Sequence, residues 1–223
     1  MKLVKPLPRW RTAAALLIAY APVSGSMRAA LYRSLFGYEI GPGSRIALGT
    51  VILCSKFKTG RGAFIGRENR FTGPFSVELG EGIIIGRFNR FVAGGVAADK
   101  AEMDYALEFI AGDRVLIYES HLFDVYGRIE IGAGTWIAGA ASQFWTHGAS
   151  VMDRDIKIGA DCYLGSAVRF APGSAIGDRC VVGLGSVVVS RLKDDNAVLS
   201  GHPARKLRDI DPKDPRKFVF EAE

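Results

Sequence analysis

An aliphatic or aromatic residue returns at every sixth position between residues 156 and 189, and this period constrains the fold more than any other feature of the chain. The recurring residues are Ile158, Leu164, Phe170, Ile176, Val182 and Val188. The fifth position of each unit is small or β-branched. A period of six matches neither the ~3.6 residues of a helical turn nor the two-residue alternation of an extended strand. It predicts short strands joined by tight turns, in a solenoid whose coils bury their apolar faces against one another.

Three units of six make a coil of eighteen residues, and this offset aligns Cys162 with Cys180. Two similar heptads begin at Ile65 and Ile85, so one coil has gained two residues at a corner. The pattern begins near Ile40 and predicts about seven coils in a single all-β domain that ends near residue 189. An odd number of cysteines without framework spacing predicts free buried thiols in a reducing compartment, with Cys162 and Cys180 as unbridged neighbours.

The positive charge of the chain is concentrated at its N-terminal end. Six lysines and arginines precede Glu39, the first acidic residue, and they account for the whole formal charge of +6. The repeats are therefore neutral and carry no basic stripe, which argues against nucleic-acid binding.

Residues 10–36 predict two short helices that are broken near residues 22–25. The apolar run from residue 13 to 23 is too short to span a bilayer. Three interpretations stay open for this segment. It is a cap over the open end of the solenoid, a signal peptide cleaved near residues 19–21, or an interfacial segment that contacts an anionic membrane.

Two segments interrupt the repeat. Residues 97–109 are rich in charge and predict a solvated loop, whereas residues 143–155 hold aromatic residues and one of the three histidines. That histidine, His147, lies outside the six-residue register beside Gly148. Because loops that depart from a rigid scaffold often carry function, we expect a binding surface here.

The ordered set of motifs resembles the hexapeptide-repeat acyltransferases, which include maltose and galactoside O-acetyltransferases and many capsule or exopolysaccharide acetyltransferases. The matching segments are residues 143–148, 156–165, 171–178, 183–188 and 201–205. The resemblance implies a left-handed parallel β-helix, an exception to the usual right-handed crossover. It places the acyltransferase domain at residues 40–208, between an N-terminal helical cap or interfacial segment, 1–39, and a C-terminal tail, 209–223.

The resemblance also implies a reaction. In that family an acyl-CoA lies in a groove between neighbouring chains of a homotrimer, and the histidine of a Thr-His loop is the general base. Carried over, His147 takes the proton from a sugar hydroxyl that attacks the thioester of acetyl-CoA, and imidazole suits this role at neutral pH. The implied enzyme is a cytoplasmic O-acetyltransferase of cell-surface polysaccharide biosynthesis. A peripheral contact of residues 1–38 with the inner face of the membrane stays an alternative.

Further site residues follow from neighbourhood and from the resemblance. Acceptor contacts are expected from His121, Asp124, Gln143 and Trp145. His121 has two other interpretations, as a residue that orients a partner in the site and as a structural corner residue. Matching positions in the family predict coenzyme A contacts from Ser166, Leu184, Arg205 and Arg208. The family's Thr-Lys pair is replaced here by Val189-Ser190, and contacts are expected from Ser190 and from Arg191, which would substitute for the lysine. The two C-terminal arginines would otherwise belong to a solvated basic tail.

Other functions stay open for a chain of this fold. An amino-sugar N-acyltransferase differs only in the acceptor atom, and a non-catalytic scaffold would need no site. The γ-class carbonic anhydrases share the fold but need two histidines about five residues apart on one chain. Here the closest histidines, His121 and His147, are 26 residues apart, so no metal site is predicted.

Overall fold

The computed structural model describes residues 9–93, 105–148 and 151–214. Within these ranges two helices, α1 (Arg9–Tyr20) and α2 (Gly25–Phe36), precede 24 short strands in three sheets. Residues 97–104 of the first predicted interruption lie outside them, as do the ends of the segments 1–39 and 209–223.

Each of the first seven coils gives one strand to each sheet, and the last coil gives strands to sheets 1 and 2 only. Sheet 1 contains β1 (Glu39–Ile40), β4 (Lys56–Thr59), β7 (Ser76–Leu79), β10 (Glu108–Ala111), β13 (Arg128–Ile131), β16 (Ile156–Ile158), β19 (Ala175–Ile176) and β22 (Arg191–Leu192). Sheet 2 contains β2 (Arg45–Ile46), β5 (Phe64–Ile65), β8 (Ile84–Ile85), β11 (Leu116–Ile117), β14 (Trp136–Ile137), β17 (Tyr163–Leu164), β20 (Val181–Val182), β23 (Ala197–Gly201) and β24 (Ala204–Asp209). Sheet 3 contains β3 (Val51–Leu53), β6 (Arg70–Thr72), β9 (Arg90–Val92), β12 (Leu122–Asp124), β15 (Gln143–Trp145), β18 (Arg169–Phe170) and β21 (Val187–Val188).

The three sheets are the faces of a prism, and the chain is a left-handed parallel β-helix with a short helical cap, as the resemblance implied. The predicted register is confirmed, because Ile65 pairs with Ile85 and Ile158 pairs with Ile176 on the next coil. The predicted inward residues of the C-terminal repeats are buried: Ile158, Leu164, Phe170, Ile176 and Val182. The six-residue period therefore reports the return of one side chain to the interior at each strand.

Close packing of the coils explains why glycine follows the inward residue so often. A Cβ atom on Gly66 would collide with the carbonyl of Gly86, and one on Gly86 with the carbonyl of Tyr118. Only glycine lets the backbones of stacked corners approach this closely.

A column of phenylalanines fills the interior behind sheet 3. Phe71, Phe91, Phe123 and Phe144 stack with centroid separations of 4.3, 4.5 and 4.6 Å, and Phe170 continues the column at 5.3 Å. Each ring sits at the same place in its strand, so the column fixes the register of neighbouring coils. This register determines which side chains meet on the outside of sheet 3.

A ladder of polar side chains runs inside the corner between sheets 2 and 3. The side chains of Thr50, Asn69, Asn89 and His121 each accept the backbone N–H of the residue in the same place on the next coil, at 2.9 to 3.1 Å. The last of these N–H groups belongs to Ser142. The ladder satisfies backbone donors that would otherwise be buried without a partner.

The two helices predicted for residues 10–36 cover the first coil. Ser24 caps α2 by accepting the Met27 N–H, and Gly37 ends it in the left-handed conformation at φ 69°. The buried guanidinium of Arg28 donates to the carbonyls of Ile18 and Ile46 at 3.0 and 2.9 Å, which ties both helices to β2. Within the described residues neither helix is long and apolar enough to cross a bilayer.

Two details concern the C-terminal coils. Cys162 and Cys180 are free, buried neighbours, since the Cys180 N–H donates to the Cys162 Sγ at 3.4 Å, and this prediction is confirmed.

The predicted end of the solenoid near residue 189 is wrong, because β22 and β23 continue the parallel stacking before β24 turns back antiparallel. Residues 193–196 break the six-residue pattern in sequence, and they form an exposed corner that does not end the coil.

Candidate active site

The candidate site lies where sheet 3 turns toward sheet 1, at the ends of the paired strands β12 and β15. Phe123 and Phe144 point inward and stack, so the next residues, Asp124 and Trp145, point outward and are paired across the two strands. Thr146 and His147 follow directly after β15. The alternation of an ordinary strand thus brings a carboxylate and an imidazole to the same outer corner.

Asp124 is the buried centre of this corner, with only 3% of its surface exposed. Its Oδ2 atom accepts the backbone N–H of Thr146 at 3.1 Å and lies 2.6 Å from the Nδ1 of His147. The Thr146 hydroxyl donates to the Asp124 carbonyl at 2.5 Å and accepts the Tyr126 N–H at 2.7 Å. These bonds, which do not involve the imidazole, hold Asp124 in place beside His147.

The contact with Asp124 decides which nitrogen of His147 carries a proton. An ionised carboxylate can only accept hydrogen bonds, so the neutral imidazole holds its proton on Nδ1 and leaves the lone pair on Nε2. The His147 side chain is 47% exposed, whereas Asp124 behind it is buried. An oriented imidazole with a free, accessible acceptor nitrogen is the arrangement of a general base.

Aromatic and polar side chains surround the imidazole. The Tyr126 ring meets it edge-on at 4.9 Å, and the Trp145 ring lies at 6.3 Å. The Gln143 Oε1 accepts from the Trp145 indole N–H at 3.2 Å and from the Arg169 Nε at 3.4 Å. Of the predicted acceptor residues, Trp145 therefore lies near His147, and Gln143 contacts Trp145 on the outer face of sheet 3.

The segment that follows His147 is held from two sides. Arg154 stacks on the Tyr105 ring at 4.1 Å, and the Tyr105 hydroxyl donates to the Val151 carbonyl at 3.4 Å. Asp153 pairs with Arg191 at 2.6 Å. The supporting residues Tyr105, Asp153 and Arg154 were missed by sequence reasoning, because no periodic pattern marks them.

Two predicted acceptor contacts are wrong. His121 is only 1% exposed, and burial lowers its pKa to about 4, against the smaller raising effects of the Ile137 carbonyl and the Glu119 carboxylate. It is a rung of the polar ladder, so its interpretation as a structural corner residue is the correct one. Asp124 is likewise buried and faces His147, which makes it a positioning residue for the imidazole.

The predicted coenzyme A contacts fall on separate parts of one chain. Ser166 and Leu184 lie on stacked turns at the corner between sheets 2 and 3, where the Gly185 N–H donates to the Ser166 carbonyl at 2.9 Å. Ser190 and Arg191 lie at the corner between sheets 3 and 1, which also carries His147. Arg205 and Arg208 are exposed on β24, paired with Ser200 and Val198. One chain does not gather these six residues into one pocket.

In the part of the chain that the structure describes, no group of three His, Cys, Asp or Glu side chains is placed to hold a metal ion.

Comparison with known proteins yields one match in sequence and several in structure, while no family model matches the chain. A galactoside O-acetyltransferase from Escherichia coli K12 is 41% identical over 63 residues, which are 28% of this chain and 30% of that protein. The UDP-N-acetylglucosamine acyltransferase from Campylobacter jejuni superposes with a TM-score of 0.53 at 16% identity, over 77% of this chain and 63% of that chain. The chain thus spans less than two thirds of the length of each of these two relatives.

A hexapeptide-repeat acetyltransferase from Vibrio cholerae, solved with acetyl coenzyme A, is 21% identical with a TM-score of 0.38, over 91% of this chain and 86% of that chain. The 63-residue match and the superposition on the Campylobacter jejuni enzyme show that the likeness to acyltransferases is local in sequence and extends to the fold.

Proposed function

We propose that this protein transfers an acetyl group from acetyl-CoA to a hydroxyl group of a sugar, with His147 as the general base. The observation that carries the proposal is the 2.6 Å contact between the His147 Nδ1 and the buried carboxylate of Asp124. The local identity to a galactoside O-acetyltransferase supports both the acetyl group and the hydroxyl acceptor.

The chemistry needs one base and no acyl-enzyme intermediate. The Nε2 of His147 removes the hydroxyl proton while the sugar oxygen attacks the thioester carbonyl carbon. Collapse of the tetrahedral intermediate breaks the C–S bond, and the imidazolium returns its proton to the departing thiolate. Asp124 stabilises the imidazolium that exists between these two transfers, because its charge lies beside Nδ1.

The surroundings of His147 suit a sugar. Tyr126 and Trp145 present aromatic rings near the imidazole, and aromatic rings can pack against the apolar face of a pyranose ring. The amide of Gln143 and the guanidinium of Arg169 supply hydrogen-bonding groups on the same outer face. The resemblance to capsule and exopolysaccharide acetyltransferases supports an acceptor from cell-surface polysaccharide biosynthesis, modified in the cytoplasm.

We propose further that three copies of the chain assemble around sheet 2. From β5 to β20 the outward positions of this sheet form an apolar ladder: Phe64, Ile84, Leu116, Trp136, Tyr163 and Val181. The outward positions of sheet 1 are mostly charged and form ion pairs between coils, as between Lys58 and Glu78. A continuous apolar face on one side of a prism favours burial against a second copy of the chain. When each copy contacts the next through two different surfaces, three copies can close into a ring.

Assembly would also explain the division of the coenzyme A residues. If the corner that carries His147 faces the sheet 2 and 3 corner of a second chain, then Ser190 and Arg191 come from one copy and Ser166 and Leu184 from the other. Two prisms form a cleft that can bury a long cofactor, whereas a single face is shallow. The site of one chain is incomplete without its neighbour in this proposal.

The decisive experiment measures thiol release from acetyl-CoA with a panel of neutral sugars and amino sugars. His147→Ala should lower turnover about 100- to 10,000-fold, the usual cost of losing a general base. Binding of acetyl-CoA, measured by calorimetry, should change little, because the imidazole contacts the acceptor. His202→Ala, a second exposed histidine, is the matched control and should keep normal turnover.

Near-normal transfer by His147→Ala would refute the base, and the absence of transfer by the wild-type protein to every sugar would refute the function. A strong preference for amino sugars would replace O-acylation by N-acylation. Light scattering should give three times the mass of one chain, and a monomer at micromolar concentration would remove the proposed cofactor cleft.

A further inference from the structure

Six large apolar side chains are exposed on the two N-terminal helices. They are called the cap surface here and comprise Trp10, Leu16, Leu17, Tyr20, Met27 and Leu35. Leu17 is the most exposed of them, at 74%. Scattered apolar residues on a protein surface are ordinary, but six within two helices of 12 residues each mark a contact with something else.

Helix α1 is apolar on both of its sides. Ala15, Ile18 and Ala19 are buried against the first coil. Trp10, Leu17 and Tyr20, spaced seven and three residues apart, share the opposite side and are exposed. A helix that is apolar on two opposite sides is normally covered on both, whereas the described structure covers α1 on one side only.

The charge of the two helices selects the partner. Neither helix contains an acidic residue, and their basic residues are Arg9, Arg11, Arg33 and the buried Arg28. Apolar side chains flanked by cations, without a compensating acid, are typical of helices that lie in the plane of a membrane interface. Anionic lipid headgroups attract such a segment, while the apolar side chains enter the boundary between headgroups and acyl chains.

We infer that the cap surface binds the surface of an anionic lipid bilayer, with α1 lying in the plane of the interface. Twelve residues of helix are about 18 Å long, well short of the ~30 Å hydrocarbon core, so α1 lies on the membrane and does not cross it. The inner sides of both helices stay on the β-helix, because Arg28 and Tyr32 bond to β2 and to the segment between β2 and β3. This inference does not depend on acyl transfer.

The test is cosedimentation of the full chain with vesicles. The wild-type protein should bind vesicles of equal parts phosphatidylcholine and phosphatidylglycerol, and should not bind phosphatidylcholine alone. High salt should weaken the binding, since it screens exposed charges. Leu17→Ser should weaken it about tenfold or more, the effect expected from losing one buried leucine side chain. Arg9→Ser should weaken it about fivefold.

Leu207→Ser is the matched control, because Leu207 is 66% exposed on β24, in the C-terminal hairpin and outside the cap surface. It should bind the mixed vesicles like the wild-type protein, and all variants should keep the wild-type melting temperature because the substituted side chains are exposed. The inference is overturned if the wild-type protein ignores anionic vesicles, if Leu17→Ser binds them normally, or if Leu207→Ser loses as much. It is also overturned if the cap surface instead pairs two copies, seen as a larger mass for the wild-type protein than for Leu17→Ser without vesicles.

Discussion

Replacing Asp124 by asparagine separates two roles that its carboxylate has toward His147. The Oδ2 atom that meets the Nδ1 of His147 also accepts the backbone N–H of Thr146 at 3.1 Å. An asparagine has one oxygen and one NH2 group, and the fixed Thr146 N–H favours the oxygen at this place. His147 should therefore keep its proton on Nδ1, and only the negative charge is lost.

The expected magnitude follows from this geometry. A hydrogen bond to a charged group contributes about 1.5–3 kcal/mol and one to a neutral group about 0.5–1.5 kcal/mol. The difference, about 1–1.5 kcal/mol in stabilising the imidazolium, lowers kcat about tenfold. A rotated amide would instead donate its NH2 to Nδ1 and move the proton to Nε2. That would cost about 100- to 10,000-fold, as removal of the base does.

Two measurements check the prediction. Steady-state kcat of Asp124→Asn should lie about tenfold below the wild-type value, and the ¹⁵N chemical shifts of His147 should still report a proton on Nδ1 at neutral pH. Asp124→Ala, which leaves Thr146 and His147 without this acceptor, is the comparison and should lose more. A loss by Asp124→Asn as deep as that of His147→Ala, with the proton on Nε2, would refute the argument from Thr146. An unchanged kcat would refute a role for the charge.

Two further predictions concern the interior of the β-helix. Burial lowers the pKa of His121 to about 4, from an ordinary value of 6.5, so the unfolded chain binds more protons between these pH values. The stability contribution is therefore full above pH 6.5 and falls by up to about 3 kcal/mol as the pH drops to 4. His121→Asn, which copies Asn89, should lose this part of the pH dependence in urea unfolding, and an unchanged dependence would contradict the assignment. Phe123→Ala, between Phe91 and Phe144, should cost about 3–5 kcal/mol, and a loss below about 1 kcal/mol in the same assay would show that the column does not pack as described.

The repeat could be predicted from the sequence because every coil has the same packing requirements. Each strand needs one inward apolar side chain and each corner needs a residue that lets backbones approach, so the pairing of Ile65 with Ile85 follows from matching heptads. The end of the solenoid was less predictable. In β22 the side chain of Leu192 is only partly buried, and hydrogen bonds between coils rather than a six-residue period continue the sheet through it.

His121 was expected to contact the acceptor from its residue type, but its side chain lies in the interior of the β-helix. Histidine in an interrupted repeat suggests a contact with ligand, yet its Nδ1 serves the same backbone bond as the amide oxygens of Asn69 and Asn89. The signal was present in the sequence, because all three residues stand four positions after an inward isoleucine. Matching positions between coils is therefore a better guide to burial here than residue type.

The contact of Asp124 with His147 can also be predicted by aligning neighbouring coils, provided that their inward phenylalanines are aligned first. Aligning Phe123 with Phe144 places Asp124 opposite Trp145, two residues before the histidine. Strands of one sheet lie about 4.8 Å apart, so a side chain at the end of one strand reaches the turn of the next coil without a long loop. The candidate base is thus held by the stacking of the coils, because the phenylalanine column that fixes the register also fixes the distance between carboxylate and imidazole. A change in the column that shifts β12 against β15 should therefore reduce turnover even where the protein stays folded.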